Sequence, residues 1–256
     1  KAAKRVIDEG GYAVGTKSDL TGGMNSLDKQ NVMWGAGIQV ADQAGGYAGF
    51  FTHMDNKEGA YAKSAPKLIS KQLYNRISAT DIRRDWWDPS DKESPYVSKK
   101  FSFANVASFL GDYIYMRVEE MYFTAAEAAL RLDDLKSARE LMNTVMAERD
   151  PGYSANNRSG TLLGATTTTW TGSFLENILT HRRIELWGEY GRLFDVRRLG
   201  QGIDRRTDDG FSEECISMMN RRNVNITKAD TYDWVLTIPK AELDANPNIN
   251  EEDQNP

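Results

Sequence analysis

The sequence predicts a mostly α protein of paired helices, with long irregular loops and a few short strands. Three observations predict it. Residues 112–132 are almost wholly apolar apart from one narrow polar stripe. Residues 135–149 resume a helical pattern after a two-Asp turn, and residues 13–65 are rich in glycine with little periodicity. The 256 residues are 40% hydrophobic and 27% charged, with a mean hydropathy of −0.59, a soluble, globular composition on the polar side.

Thirty-two Lys and Arg against 37 Asp and Glu leave a net charge of −5. A sequence-independent nucleic-acid binder needs excess cation to neutralise phosphates, so nucleic acid is not an expected partner. The single cysteine, Cys215, excludes an intrachain disulfide and any multi-cysteine metal site. With only His53 and His181, a His-rich metal centre is not expected either, and no cofactor is assigned. No run approaches the ~18 apolar residues of a membrane-spanning helix.

Along the chain, Lys1 to Glu9 read as the last turns of a helix stopped by Gly10-Gly11, which predicts further protein upstream. Val32-Met33-Trp34 is a short strand within the glycine-rich stretch. Pro66 opens a helix over Lys67 to Ile77, proline being suited to a first helical turn. Residues 78–111 are irregular and carry Asp81-Ile82-Arg83-Arg84-Asp85-Trp86-Trp87-Asp88-Pro89; loops this long in compact proteins tend to be functional.

Asp112 is suited to cap a helix running to about Leu132. Its polar residues Arg117, Glu120, Thr124, Glu127 and Arg131 fall at steps of 3, 4, 3 and 4; Glu119 alone is polar off that stripe, so most of the circumference should be buried. Asp133-Asp134 turn the chain into a second helix, Leu135 to about Arg149, ended by Asp150-Pro151-Gly152. The pair forms a helix hairpin, the unit of tetratricopeptide-like arrays. A polar linker with the Thr166 to Thr169 run follows, then a highly charged helix from Phe174 to Leu199. From Gly200 the tail is loop-rich, with Trp234 to Pro239 as a strand and Ala245-Asn246-Pro247 as a turn.

Three separated motifs carry a family resemblance. Met116-Arg117-Val118-Glu119-Glu120-Met121-Tyr122-Phe123-Thr124-Ala125-Ala126-Glu127-Ala128 is followed by Leu141 to Arg149. Arg182-Arg183-Ile184-Glu185-Leu186 leads to Arg192-Leu193-Phe194-Asp195-Val196-Arg197-Arg198. The close is Ile238-Pro239-Lys240-Ala241-Glu242-Leu243, Asn246-Pro247-Asn248-Ile249 and Gln254-Asn255-Pro256. In this order and spacing they resemble the C-terminal part of the SusD/RagB family of outer-membrane nutrient-uptake lipoproteins. The departures are local: His181 stands where the family usually has Glu, Gly188 where it has an aromatic, and Tyr190-Gly191 where a Gly comes first. The resemblance covers residues 110–256 well and 60–110 loosely. It implies one SusD-like domain over 1–256, loop-rich at 13–111, helical at 112–199 and loop-rich at 200–256, with the N-terminal part missing.

The resemblance further implies non-catalytic binding of an oligosaccharide or polysaccharide at the cell surface and its delivery to a SusC-like TonB-dependent transporter in the outer membrane. The membrane would be reached only through an N-terminal lipid anchor absent from this chain. It also implies a structural ion-pair network of Arg117, Glu120, Glu127, Arg183, Glu185, Glu189, Arg192, Asp195 and Arg198, tying the helix at 112–132 to the one at 174–199. Breaking one such buried pair costs about 3–5 kcal/mol.

Paired carboxylates are what sugar hydrolysis uses, so Glu120, Glu127, Glu185 and Glu189 keep a glycoside hydrolase open as an alternative. Arginines nearby on the same helices favour lowered carboxyl pKa values, the opposite of what a general acid needs. No G-x-S-x-G accompanies either histidine, the acidic neighbours of Cys215 disfavour its thiolate, and no glycine motif makes a nucleotide site. No catalytic or metal-binding residue is therefore assigned. The candidate ligand-binding residues are loop aromatics with polar neighbours: Tyr47, Phe51, Asn56, Asp85, Trp86, Trp87 and Tyr96. In an extended segment at most one of Trp86 and Trp87 should be core, since neighbours point opposite ways. A helical-repeat adaptor for a protein partner is the other alternative.

Overall fold

Helix α1 (Ala2–Glu9) stops at Gly10, as its Gly-Gly sequence predicts, in a computed structural model of the protein that describes residues 1–42, 48–160, 171–189, 191–201 and 236–254. These belong to two compact units. The first comprises Lys1–Gly164 with Thr171–Tyr190, the second Ala165–Trp170 with Gly191–Pro256. Tyr47, Gly45-Gly46, Cys215, the Thr166 to Thr169 run, Trp234-Val235 and Asn255-Pro256 lie outside the described residues.

The first unit is organised on a helix hairpin, α6 (Val118–Arg131) and α7 (Leu135–Ala147), which pack along their length. Asp133 makes the turn in the left-handed region (φ 60°), and the Asp134 side chain caps α7 by accepting from Ser137 N. α1 covers one side of α6, and α8 (Phe174–Glu185) covers another. That enclosure explains why α6 carries apolar residues round most of its circumference.

Residues 112–117 do not begin this helix. Tyr113–Arg117 form strand β4, paired antiparallel with β1 (Val32–Ala36), and Asp112 accepts instead from Leu27 N and Ile38 N. An apolar run such as Tyr113 to Met116 suits either a strand or a buried helix, and a partner strand some eighty residues upstream decides for the strand. The expected helix over 67–77 is likewise shorter. α2 (Lys17–Thr21), α3 (Phe50–Met54) and α4 (Ala60–Ser64) precede it, and only α5 (Lys71–Tyr74) is helical, started by the Ser70 cap rather than by Pro66.

The loop-rich region owns a core. Leu20, Phe51, Leu73, Trp86, Trp87, Phe101 and Phe103 are buried together, with Trp187 packed against them. Both tryptophans are therefore core, at 4% and 1% exposure, against the expectation of at most one. The segment is not extended throughout: Trp86 ends a 3-10 turn (Ile82–Trp86) and Trp87 begins β2 (Trp87–Asp88), paired with β3 (Val97–Ser98). The change of backbone at their junction sends both rings inward.

The predicted helix over 174–199 is two helices. α8 ends at Glu185, and α9 (Arg192–Arg198) starts after Gly191. Gly188 and Gly191 both sit at positive φ (75° and 96°), which side chains with a Cβ rarely adopt, so the chain turns where helical periodicity alone would carry it on. In the second unit, α10 (Lys240–Ala245) is followed by a 3-10 turn (Glu251–Asp253) capped by Asn250. The Gln254 amide bonds both the N–H and the carbonyl of Ile238, at 2.8 and 2.9 Å. Residues 236–239 are not strand, so the described four of the six residues expected as a strand over 234–239 are irregular.

Candidate functional site

The densest chemistry in the first unit is a buried charge network, and its geometry decides whether it is catalytic. Glu185, at the end of α8, accepts from three arginines. Arg117 Nη1 and Arg149 Nη2 meet Oε1 at 3.0 and 3.1 Å, while Arg149 Nε and Arg83 Nη1 meet Oε2 at 3.0 and 3.1 Å. Arg149 also reaches Glu119 Oε1 (2.8 Å), which accepts from Gly15 N and Asn31 Nδ2 as well. Glu119 Oε2 lies 3.1 Å from Arg117 Nη1 as an ion pair without an aligned hydrogen bond. Arg83 is closed by Asp81 at 2.6 Å, and Glu189 takes Arg117 and Lys100 at 2.7 and 2.6 Å. Arg83, Arg117, Arg149 and Lys100 thus balance Asp81, Glu119, Glu185 and Glu189 in the interior.

Burial alone would raise the Glu185 carboxyl, but Arg149, Arg117 and Arg83 together hold it well below the usual carboxylate range. Glu189 is lowered against its burial by Arg117 and Lys100. Lys100 is pushed down by burial to about 8, with Glu189 opposing. It donates to the carbonyls of Glu185 and Trp187, closing the C-terminal end of α8. Carboxylates held ionised in this way do not donate protons, so the network is scaffold chemistry.

The other residues of the expected network lie outside this cluster. Glu120 pairs with Arg182 of α8 at 2.9 Å, and Glu127 with Arg131 one turn away on α6. Arg183 is half-buried on α8. Arg192, Asp195 and Arg198 are on α9 in the second unit, where Arg198 pairs with Asp195 at 2.8 Å. Sequence reading missed Asp81, Arg83, Lys100, Glu119 and Arg149. Glu119 did carry a signal, as the one acid off the polar stripe of its helix. Lys100 carried none.

The expected ligand-binding residues do not form one surface. Phe51 is core, packed on Phe50, Phe103 and Tyr113, and Trp86 is core beneath the Lys100 ammonium, 4.6 Å from its ring. Asn56 is a clamp: its amide accepts from Lys67 N and donates to the Ser98 carbonyl. These three are structural, tying the short elements and loops of this region to one another. Tyr96 packs its ring against Tyr74 at 5.2 Å. Asp85 and the edge of Trp87 do share a cleft of about 540 Å³, with Tyr74, Arg84 and Lys99.

An aromatic pair with a tryptophan that faces solvent lies elsewhere, on the β1–β4 ribbon. Trp34 is 64% exposed and Tyr115 43%, with ring centroids 5.0 Å apart and planes at 62°. The ladder shows how this arises. Val32 opposes Arg117 and Trp34 opposes Met116, so Met33 is an extra residue on β1; Gly35 then opposes Ile114, so Tyr115 is an extra residue on β4. Two opposed bulges restore the register and re-aim the two large rings outward, side by side. Asp112, accepting from both Leu27 and Ile38, fixes the end of the ribbon. The pair was not legible because Tyr115 was assigned to a helix. Among the described residues no cluster of His, Cys, Asp and Glu is arranged to hold a metal ion.

Comparison with known proteins agrees with this scaffold. No curated protein matches the sequence. Among solved structures, a SusD-like carbohydrate binding protein from Bacteroides vulgatus shares 25% identity over 78% of this chain and 41% of its own, with a TM-score of 0.60. A SusD superfamily protein from Bacteroides thetaiotaomicron matches all of this chain and 55% of its own at 23% identity and a TM-score of 0.70. Surface glycan-binding protein A from Bacteroides uniformis matches 99% and 55% at 18% identity and 0.56. The chain thus spans about half the length of these structures. The SusD family model matches residues 92–256, which include the α6–α7 hairpin, Glu185 and the closing Pro-Asn segments, and the chain belongs to that family.

Proposed function

We propose that this protein is a non-catalytic saccharide binder of the bacterial cell surface. It would hold an oligosaccharide or polysaccharide on the Trp34–Tyr115 platform and pass it to a SusC-like TonB-dependent transporter in the outer membrane, with a lipid anchor as its membrane attachment. The observation that carries the reading is the exposed, edge-packed ring pair on a doubly bulged ribbon. A sugar ring presents apolar C–H faces within a rim of hydroxyls and is matched by flat aromatic faces with polar groups beside them. Covering about 60 Å² on each ring contributes about 1.5 kcal/mol per ring at ~25 cal/mol/Å². With a few hydrogen bonds added, that corresponds to micromolar to millimolar dissociation constants, a range suited to capture followed by release. Family membership and the binding activities named for the solved relatives support the same reading. So do Glu185 and Glu189, which their arginine partners hold ionised and therefore unsuited to donate a proton in glycosidic cleavage.

Isothermal titration of neutral oligosaccharides and polysaccharides, run beside a reducing-sugar release assay, tests it. The expected result is binding without release, weakened about 10-fold by Trp34→Ala and less by Tyr115→Ala. Release of reducing ends would return the protein to the glycoside hydrolases. Binding indifferent to both substitutions would move the site off the ribbon.

A further inference from the structure

A second cleft, of about 520 Å³, lies in the first unit between the turn after α5 and the loop that follows α7, with one face of α8 as its floor. Its lining is unusual for a chain of net charge −5. Two arginines, Arg76 and Arg158, enter it against one acid, Asp150, and Asp150 Oδ1 is already engaged by Thr80 Oγ1 and Gly152 N. Arg158 has no carboxylate partner among the described residues. The floor presents Asn177 and His181, one turn apart on the same face of α8. Asn177 Oδ1 accepts from the Tyr153 hydroxyl at 2.7 Å, which leaves its Nδ2 donor over. His181 is only 7% exposed, and its Nδ1 sits 2.9 Å from Arg83 Nη2, a donor that cannot accept. Nδ1 must therefore be the unprotonated nitrogen, and the ring carries its proton on Nε2 as a further donor.

The walls are held before any ligand arrives. Arg139 donates twice to the Arg158 carbonyl, and Asn143 accepts from Ala155 N and donates to Asn156 Oδ1, so the loop is stitched to α7. Donors therefore converge from three segments on a space larger than a simple ion needs, edged by amide and hydroxyl side chains.

We propose that this cleft recognises the carboxylate of an acidic saccharide, a uronic-acid residue within an oligosaccharide, with Arg158, Asn177 Nδ2 and His181 Nε2–H as donors to the acid group. The inference rests on the saccharide-binding reading above and narrows its ligand class. The neutrality of His181 is secured by its surroundings, since burial and the Arg83 charge both keep its pKa well below the ordinary value, so the donor persists across the working pH range.

Two matched pairs of probes test this by titration calorimetry on the full chain: oligogalacturonate against its methyl ester, and glucuronic-acid-substituted against unsubstituted xylo-oligosaccharide. The acid form should bind at least 10-fold more tightly in at least one pair. Arg158→Gln should abolish that preference and, because the side chain is exposed, leave the melting temperature unchanged, and Asn177→Asp should weaken the acid form about 10-fold. Equal binding of acid and ester, a preference that survives Arg158→Gln, or no binding of either acidic probe overturns the proposal. Equally tight binding of acetate or inorganic phosphate would reduce the cleft to a general anion site and also overturns it. Trp34→Ala separates the two readings. Neutral glycans bound through Trp34 with no acid preference sink this inference alone, whereas an Arg158-dependent acid preference untouched by Trp34→Ala sinks the platform and leaves the cleft.

Discussion

At the residue scale, His181 and Glu185 show how burial and neighbouring charge set the response to acid. Burial and Arg83 lower the His181 pKa, so between the unfolded value near 6.5 and its folded value the unfolded chain binds a proton that the folded chain refuses. Stability must fall as pH drops through that window, by up to about 1.4 kcal/mol per pH unit from this one group. Glu185 and Glu189 act lower. Their folded pKa values are depressed, so their contribution is complete above the unfolded carboxylate value and is lost as pH falls through the folded values. Urea unfolding at pH 7, 6 and 5 should show the His181 slope, and His181→Asn should flatten it while lowering stability throughout. An unchanged slope would mean that His181 takes up its proton in the folded protein. The sequence showed His181 as a departure from the family's usual Glu. Its buried, neutral role was hidden because Arg83, its partner, lies 98 residues away.

At the element scale, the long helices were legible, while the short ones in the loop-rich region and the breaks between helices were not. The α6–α7 hairpin follows from an apolar circumference and an Asp-Asp turn, both local signals. β4 was not legible because its apolar run has no period that excludes a helix, and the bulges that expose Tyr115 depend on β1. The end of α8 is the instructive case. Leu186 to Gly191 keep the charge pattern of the helix before them, but Gly188 needs φ 75°, and a Cβ there would lie 2.6 Å from Phe101 Cε2 and 2.8 Å from Met54 Cε. Gly188→Ala should therefore destabilise by about 1–3 kcal/mol in denaturant unfolding, through backbone strain and the displaced Phe101 ring. If that residue were merely a tolerant linker, the substitution would be neutral or slightly stabilising, because alanine restricts the unfolded chain.

At the scale of the whole molecule, the first unit separates holding itself together from meeting a ligand. Its charges of highest density are buried and mutually satisfied, and the loop-rich half is pinned to the helical half through them: Arg83 and Lys100 come from the loops, Arg117 from the ribbon, Arg149 from the hairpin, and Glu185 from α8. Glu185 is the shared acceptor, so Glu185→Gln leaves three buried guanidiniums facing a neutral amide. The expected loss is about 3–5 kcal/mol, spread over every segment that meets there. The ribbon aromatics stand apart from this network with much of their surface in water, so Trp34→Ala with Tyr115→Ala removes little packing. The two substitutions therefore make opposite predictions in one pair of measurements. The ribbon double variant should melt within a few degrees of the parent and lose saccharide binding. Glu185→Gln should melt far lower yet, at a temperature where it remains folded, bind saccharide with unchanged affinity. A Glu185→Gln protein that stays folded and loses binding would place the carboxylate in the ligand site, because a purely structural glutamate affects affinity only through the folded fraction.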